Sequence, residues 1–330
     1  MTDMSTGPWM FIAWAPYARR SESLARELGA ELCLVHYLKF QTPIYAPVKY
    51  ILQGIRTLML LFSKRPTVVF VQNPPFACSL VVYLYCYTVG AHFVFDHHSA
   101  VFSPVWDWAL PIQKSLAQRA ITNIVTNQHW AEIVQSWGAS ALIMGDPFLE
   151  LAQGEMFRVE PGFSVAFVST FAPDEPLDAV LQAATQVPKV HFYITGDSKR
   201  QPKSFFDSLP NNVTCTGFLP DARYVGLLRA VDAMLVLTTR DHTLQLGGCE
   251  AVSLAKPLIT SDWPCLKKFF VRGTIHVANS AASIREGILA MQEKYKDLNE
   301  EMMAFRQESR QEWNAQLAQL KQVIADHVAC

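Results

Sequence analysis

The fold turns on the stretch Thr67–His98, TVVFVQNPPFACSLVVYLYCYTVGAHFVFDHH. Its opening, Thr67–Gln72, is β-branched and fully apolar at its centre, which suits an interior parallel strand. Asn73-Pro74-Pro75 ends that strand. The next twenty residues, Phe76–Phe95, carry no acidic or strongly basic side chain and are long enough to cross a bilayer. Against spanning, Pro74-Pro75 opens the run, Gly90 breaks it near its end, and Asp96-His97-His98 follows at once. The pattern reads as strand, buried helix, turn and strand, the repeat of a parallel sheet covered on both faces.

Working outward, Trp9–Ala15 is a short apolar strand, Ser21–Leu28 has helical spacing, and Glu31–Tyr37 is a second strand. Tyr45–Phe62 (YAPVKYILQGIRTLMLLF) sets Ile51, Leu52, Ile55, Leu58, Met59 and Phe62 at helical intervals, with Lys49, Arg56, Lys64 and Arg65 around the stripe. Two readings stand for this helix. It packs beneath the sheet as core, the preferred reading, or it lies on the surface with its apolar face in an anionic membrane interface. Strand Phe93–Phe95, a loop through Trp106, helix Ile112–Ala120, strand Asn123–Thr126, helix Gln128–Trp137 and strand Leu142–Met144 continue the alternation. The apolar rhythm lapses over Gln153–Gly162. A second series follows with strand Ser164–Ser169, helix Pro176–Ala184, and strands Val190–Ile194, Val213–Thr216, Ala233–Leu237, Pro257–Thr260 and Thr274–Val277. Ser283–Val328 is a charged helical tail that packs across both halves or onto its own. Such alternation gives right-handed crossovers and parallel sheets. The expected architecture is α/β: two Rossmann-like domains, 1–155 and 156–330, facing a central cleft, with C-terminal helices.

The bulk composition agrees. A chain of 330 residues suffices for two cores, half of it is hydrophobic, and 17% charged residues exclude a disordered chain. A net charge of −1 offers no strong field for nucleic acid. Seven cysteines, an odd number without CxxC spacing, point to neither a disulfide framework nor a zinc site, and fit a reducing compartment. MTDMSTGPW has no basic start followed by an apolar stretch, so the expected location is cytoplasmic.

Ligands of open α/β sheets bind beyond the carboxyl ends of the strands. Thr238–Glu250 (TTRDHTLQLGGCE) leaves strand Ala233–Leu237 and opens a helix with Gly247-Gly248. Paired glycines permit close backbone approach to an anion, a helix start supplies unpaired N–H groups, and Glu250 just inside can accept from ribose hydroxyls. The plain alternative is an ordinary helix start with Glu250 complementing the dipole. At Asp96-His97-His98, adjacent histidines leaving a strand face opposite ways and rarely chelate one ion. Either histidine has a structural reading, or His98 faces the ligand for acceptor binding or proton transfer.

Gly248–Asp262 (GCEAVSLAKPLITSD) resembles the signature of family-4-type (group 1) GT-B glycosyltransferases. Thr216–Pro220 (TGFLP) with Leu227–Leu237 (LLRAVDAMLVL) is similar to the same family's Gly-Phe-Val-Pro turn, helix and strand. In the N-terminal half, Val69–Pro75 (VFVQNPP) and Phe95–His98 (FDHH) resemble enzymes that extend lipid-linked oligosaccharides. The resemblance implies transfer from a nucleotide sugar, probed first as UDP- or GDP-linked, to a glycan or lipid-linked saccharide. No cofactor is implied, and the absence of Asp-x-Asp points to metal independence. By resemblance Glu250 binds the donor ribose, Gly247 and Gly248 line the diphosphate, and His98 lines the cleft near the sugar. The full candidate set is His98 and Asp96 for catalysis; Asn73, Pro74 and His97 for the acceptor; and for the donor Gly247, Gly248, Glu250, His242, Asp241, Arg240, Thr195, Gly196, Lys199, Arg200 and Phe218.

This chain also departs from the family. The usual pair of glutamates becomes His242 and Glu250, with Asp241 beside it. The Arg and Lys that commonly follow the first strand of the second domain give way to the acids of Ser169–Pro176 (STFAPDEP), leaving Lys199, Arg200 and Arg240 to offset diphosphate charge. An epimerase or hydrolase of the same fold and a catalytically silent binding subunit are the competing expectations. Lipid-linked acceptors would favour peripheral membrane contact through Tyr45–Phe62, at the inner face of the plasma membrane.

Overall fold

The computed structural model describes residues 8–38, 46–145, 149, 151 and 153–329. The first unit holds strands β1 (Trp9–Ala13), β2 (Glu31–Leu34), β3 (Val68–Asn73), β4 (His92–His97), β5 (Asn123–Val125) and β6 (Ala141–Ile143). Between them run helices α1 (Arg19–Leu28), α2 (Ala46–Lys64), α3 (Phe76–Val89), α4 (Leu110–Ala117) and α5 (Gln128–Ser136). The second unit has β7 (Phe163–Phe167), β8 (Val190–Thr195), β9 (Val213–Gly217), β10 (Ala233–Val236), β11 (Leu258–Ser261) and β12 (Thr274–Val277). Its helices are α6 (Leu177–Thr185), α7 (Lys203–Asp207), α8 (Asp221–Ala230), α9 (Leu246–Leu254), α10 (Pro264–Phe269), α11 (Ala281–Glu293) and the long α12 (Tyr295–Val328).

Both sheets are six-stranded, in the orders β2-β1-β3-β4-β5-β6 and β12-β11-β10-β7-β8-β9, and every strand pairing is parallel. Each sheet is covered on two faces, which is why its strands read as nearly unbroken apolar runs. In β7, Val165 and Phe167 enter one buried cluster while Ala166 enters the opposite one. The fully apolar Phe76–Phe95 run divides as its breaks indicate: α3 ends at Gly90, whose left-handed φ of 73° stops the helix, and β4 follows.

The units divide between 147 and 148, earlier than the expected division after 155, and α12 rejoins the first unit from Glu312. Polar contacts explain the shift. The Leu149 amide donates to Ser253 Oγ at 3.0 Å, Glu155 N to Ala222 O at 2.8 Å and Glu160 N to the Tyr193 hydroxyl at 2.7 Å. The segment where apolar periodicity lapses is thus bound to the second unit by its backbone.

Helix α2 corrects the preferred core reading of Tyr45–Phe62, of which Tyr45 itself lies outside the described residues. Its apolar stripe faces outward, and Lys49, Gln53, Gly54, Thr57 and Leu61 are the buried positions. The inner face is chosen by specific partners: Gln53 Nε2 donates to Val35 O at 2.9 Å, and the Trp14 indole donates to Thr57 Oγ1 at 2.9 Å. Gly54 lies so near α3 that an added Cβ would meet Val81 at 3.4 Å. Two buried side-chain hydrogen bonds and a close helix crossing decide the orientation here, against simple apolar periodicity.

Candidate functional site

In the second unit the chain runs outward in both directions from β7, so the strand order reverses between β7 and β10. The crevice beyond the carboxyl ends at such a reversal is where open α/β sheets take ligands. The loops leaving these two strands are joined. Asp174 Oδ2 accepts from Thr238 Oγ1 at 3.1 Å, and Asp174 O accepts from Thr239 N at 2.7 Å. The neighbouring Glu175 holds its own loop, accepting from Ser169 Oγ at 2.6 Å, Thr170 N at 2.9 Å and Ala172 N at 3.2 Å. The two acids that stand where the family carries cations therefore have built-in partners. The carbonyl of Thr238 is pinned from the far side by the Trp263 indole and by Asn279 Nδ2, each at 2.8 Å.

Helix α9 starts directly after this crevice. Gln245 precedes it without a side-chain cap, its Nε2 donating instead to Leu237 O at 2.8 Å. The first turn therefore presents backbone N–H groups and the positive dipole end. Gly247 and Gly248 owe their identity to close packing rather than to open space. A Cβ at Gly247 would meet Val168 at 2.9 Å, and one at Gly248 would meet the buried Phe270 ring at 2.4 Å. The small residues bring α9 against the exit of β7. Glu250 is buried one turn in, where the Tyr224 hydroxyl of α8 donates to its Oε2 at 2.5 Å. Tyr224 was not singled out in the sequence, since a helix partner from another segment leaves no local signature.

The remaining donor candidates are spread over this crevice. Asp241 and His242 lie in its loop with Oδ2 and Nε2 3.5 Å apart, and Arg240 is exposed beside them. Phe218, after β9, is 79% exposed and offers a ring face. Lys199 is exposed on the turn after β8, while the side chain of Arg200 lies outside the described residues. Thr195 has a structural part at this crevice. It is buried, and its hydroxyl accepts from Ser169 N at 3.0 Å and reaches Ser169 O at 3.3 Å, which spends it on joining β8 to β7. Gly196 serves the same junction, for an added Cβ would sit 2.5 Å from Ser169 O.

In the first unit, Asp96 is fully buried near the end of β4. Arg20 of α1 reaches it with Nη2 at 3.0 Å from Oδ1 and donates Nη1 to Gly145 O at 2.8 Å. Burial works to raise the Asp96 pKa, but the Arg20 guanidinium and then His98 outweigh it and hold the carboxyl well below the usual range. His98 lies beside it, with Nε2 3.4 Å from Oδ2. Asp96 itself has no exposed surface, so any part it takes runs through Arg20 and His98. The side chain of His98 is 30% exposed and can meet a ligand.

Asn73 and His97 have partners of their own within the first unit. Both are buried. His97 Nε2 lies 2.9 Å from Asn123 Oδ1 and its Nδ1 3.2 Å from Asn73 Nδ2. Asn123 Nδ2 is committed to Ala117 O at 3.0 Å and Ser140 O at 2.8 Å, which makes its Oδ1 the acceptor and His97 Nε2 the donor. Burial lowers the His97 pKa to about 4, so the ring is neutral and structural. Pro74 stays half-buried after β3. Among the described residues no group of three His, Cys, Asp or Glu side chains converges as metal ligands would.

Residues 162–297 match the family model described as glycosyl transferases group 1. No curated protein matches the chain. Among solved structures, HepE of Anabaena, determined in complex with UDP and glucose, aligns over 98% of this chain and 100% of its own, with a TM-score of 0.70 at 14% identity. Sucrose-phosphate synthase from Thermosynechococcus elongatus aligns over 98% and 100%, with a TM-score of 0.75 at 12% identity. UDP-GlcNAc 2-epimerase from Methanocaldococcus jannaschii aligns over 85% and 91%, with a TM-score of 0.56 at 12% identity. The architecture is the twin-Rossmann GT-B fold. Its second unit carries the group 1 glycosyl transferase match, so the resemblance read at Gly248–Asp262 holds at the level of that class.

Proposed function

We propose that the protein transfers a sugar from a nucleoside-diphosphate sugar to a glycan or lipid-linked saccharide acceptor. The observation that carries this reading is the uncapped start of α9, with Glu250 buried one turn in, at the strand reversal of the unit matched by the glycosyl transferase model. The diphosphate meets the first-turn amides of α9, Glu250 accepts from the ribose, and Phe218 supplies a face for the base or sugar. When the bond between the anomeric carbon and the diphosphate oxygen breaks, negative charge gathers on the leaving group. The α9 dipole with Arg240 and Lys199 stabilises that charge, without a metal ion. The acceptor hydroxyl forms the new bond and gives up its proton, for which His98, beside Asp96, is the base.

UDP is the first nucleotide to test, because HepE was solved with UDP and glucose. A thermal-shift comparison of UDP-, GDP- and dTDP-sugars identifies the donor, and stabilisation should persist in EDTA. Lack of stabilisation by every nucleotide sugar would overturn the reading. The likeness to the UDP-GlcNAc 2-epimerase fold keeps acceptor-free conversion as the second reading, which product analysis distinguishes.

A further inference from the structure

From Leu32 to Phe95 the sequence contains no Asp or Glu, although the chain has 29 acidic residues against 28 Lys and Arg. The same stretch carries Lys39, Lys49, Arg56, Lys64 and Arg65. Charge is thus segregated along a chain that is nearly neutral overall. Within that stretch α2 directs Val48, Ile51, Leu52, Ile55, Met59 and Phe62 outward, each at least 41% exposed, and Ile51 reaches 63%. Isolated apolar side chains are ordinary on a surface, but six large ones on a single helix face call for a covering. Helix α3, which packs beside α2 and bears no charge, adds exposed Leu84, Tyr87 and Val89.

Rotation cannot hide this face. Turning α2 inward would break Gln53 to Val35 O and Trp14 to Thr57 Oγ1, both buried hydrogen bonds, and would part the close approach at Gly54. The apolar side is held outward by the fold itself. Among the described residues no helix is long and apolar enough to cross a membrane, so the face is suited to lying on a bilayer rather than through it. Arg56 is exposed on the same face, with Lys64 and Arg65 exposed where the helix ends. Lys64 shares its charge with Glu31 at 3.0 Å, but both are about half exposed and the pair is screened. Lys49 is buried and plays no part.

We propose that α2 is an in-plane docking helix for an anionic lipid bilayer. Its apolar side chains enter the headgroup boundary while Arg56, Lys64 and Arg65 meet lipid phosphates. Charge selects this occupant. A protein partner or a second copy would require only the apolar face, whereas the absence of every acid across the surrounding stretch removes repulsion from a negatively charged surface. The inference stands apart from the sugar-transfer reading, since it needs neither donor nor acceptor.

Vesicle flotation of the full chain tests it. With phosphatidylcholine vesicles holding about one-third phosphatidylglycerol, the protein should float, and partition should fall roughly fivefold for each basic residue removed, as in R56Q. High salt should weaken it likewise, and neutral phosphatidylcholine vesicles should retain far less protein. I55E/M59E should reduce binding by about two orders of magnitude with unchanged circular dichroism and melting temperature. Failure of the wild type to bind anionic vesicles, or equal binding by folded I55E/M59E, would overturn the proposal. So would a wild-type dimer in light scattering that I55E/M59E converts to monomer, since the face would then be a self-interface.

Discussion

Replacing Glu250 by Gln keeps the side chain's size and an oxygen for the Tyr224 hydroxyl, which now sits 2.5 Å from Oε2, but removes the charge. The carboxylate is only 3% exposed, so its interaction with a ribose hydroxyl would be made in a largely desolvated place. A hydrogen bond to a charged group contributes about 2 kcal/mol. Donor dissociation should therefore weaken by roughly thirtyfold in Glu250→Gln and by at least as much in Glu250→Ala. Isothermal titration with the nucleotide diphosphate reads this directly. Tyr224→Phe is the companion variant, because it removes the internal hydrogen bond while leaving the carboxylate in place, and should lower stability more than affinity. Unchanged donor affinity in a folded Glu250→Gln protein would refute the reasoning and return Glu250 to a structural role that completes the contact between α8 and α9.

Arg20→Met leaves Asp96 buried without its guanidinium, and should destabilise the protein by about 3–5 kcal/mol in urea unfolding. Gly248→Ala drives a methyl into the Phe270 ring and should cost about 1–3 kcal/mol, with partial recovery in Gly248→Ala/Phe270→Leu. His97 binds its proton less readily folded than unfolded, so the neutral ring contributes stability above its unfolded pKa of about 6.5 that is lost as pH falls toward the folded value of about 4. That loss should reach about 3 kcal/mol, and a flat stability profile between these values would show that His97 is not buried as described. His98→Ala should lower turnover more than donor affinity, and wild-type turnover would remove it from the mechanism.

The two parallel sheets were legible because strands covered on both faces must be apolar throughout, as Val69–Val71 and Ala233–Val236 are. The crevice was legible for a related reason: its location follows from where loops leave strands, and Gly247, Gly248 and Glu250 open the helix that follows the loop leaving β10. The contacts that the sequence does not show are of one kind, the pairing of distant polar groups. Gln53 and Thr57 reverse α2, Asn123 consumes His97, and Ser169 consumes Thr195. Each pair spans separate strands or helices, so neither partner marks the other in the sequence. Glu175 is the instructive case. It looked like a lost cation, and the fold reveals it as the carboxylate that gathers the amides of its own loop.

The most direct test of sugar transfer is release of nucleoside diphosphate from a stabilising UDP- or GDP-sugar, measured with and without glycan or lipid-linked saccharide acceptors. Release that requires an acceptor, falls in His98→Ala and survives EDTA is the predicted result. Conversion of the nucleotide sugar at the same rate without any acceptor, or tight binding with no turnover, would contradict it.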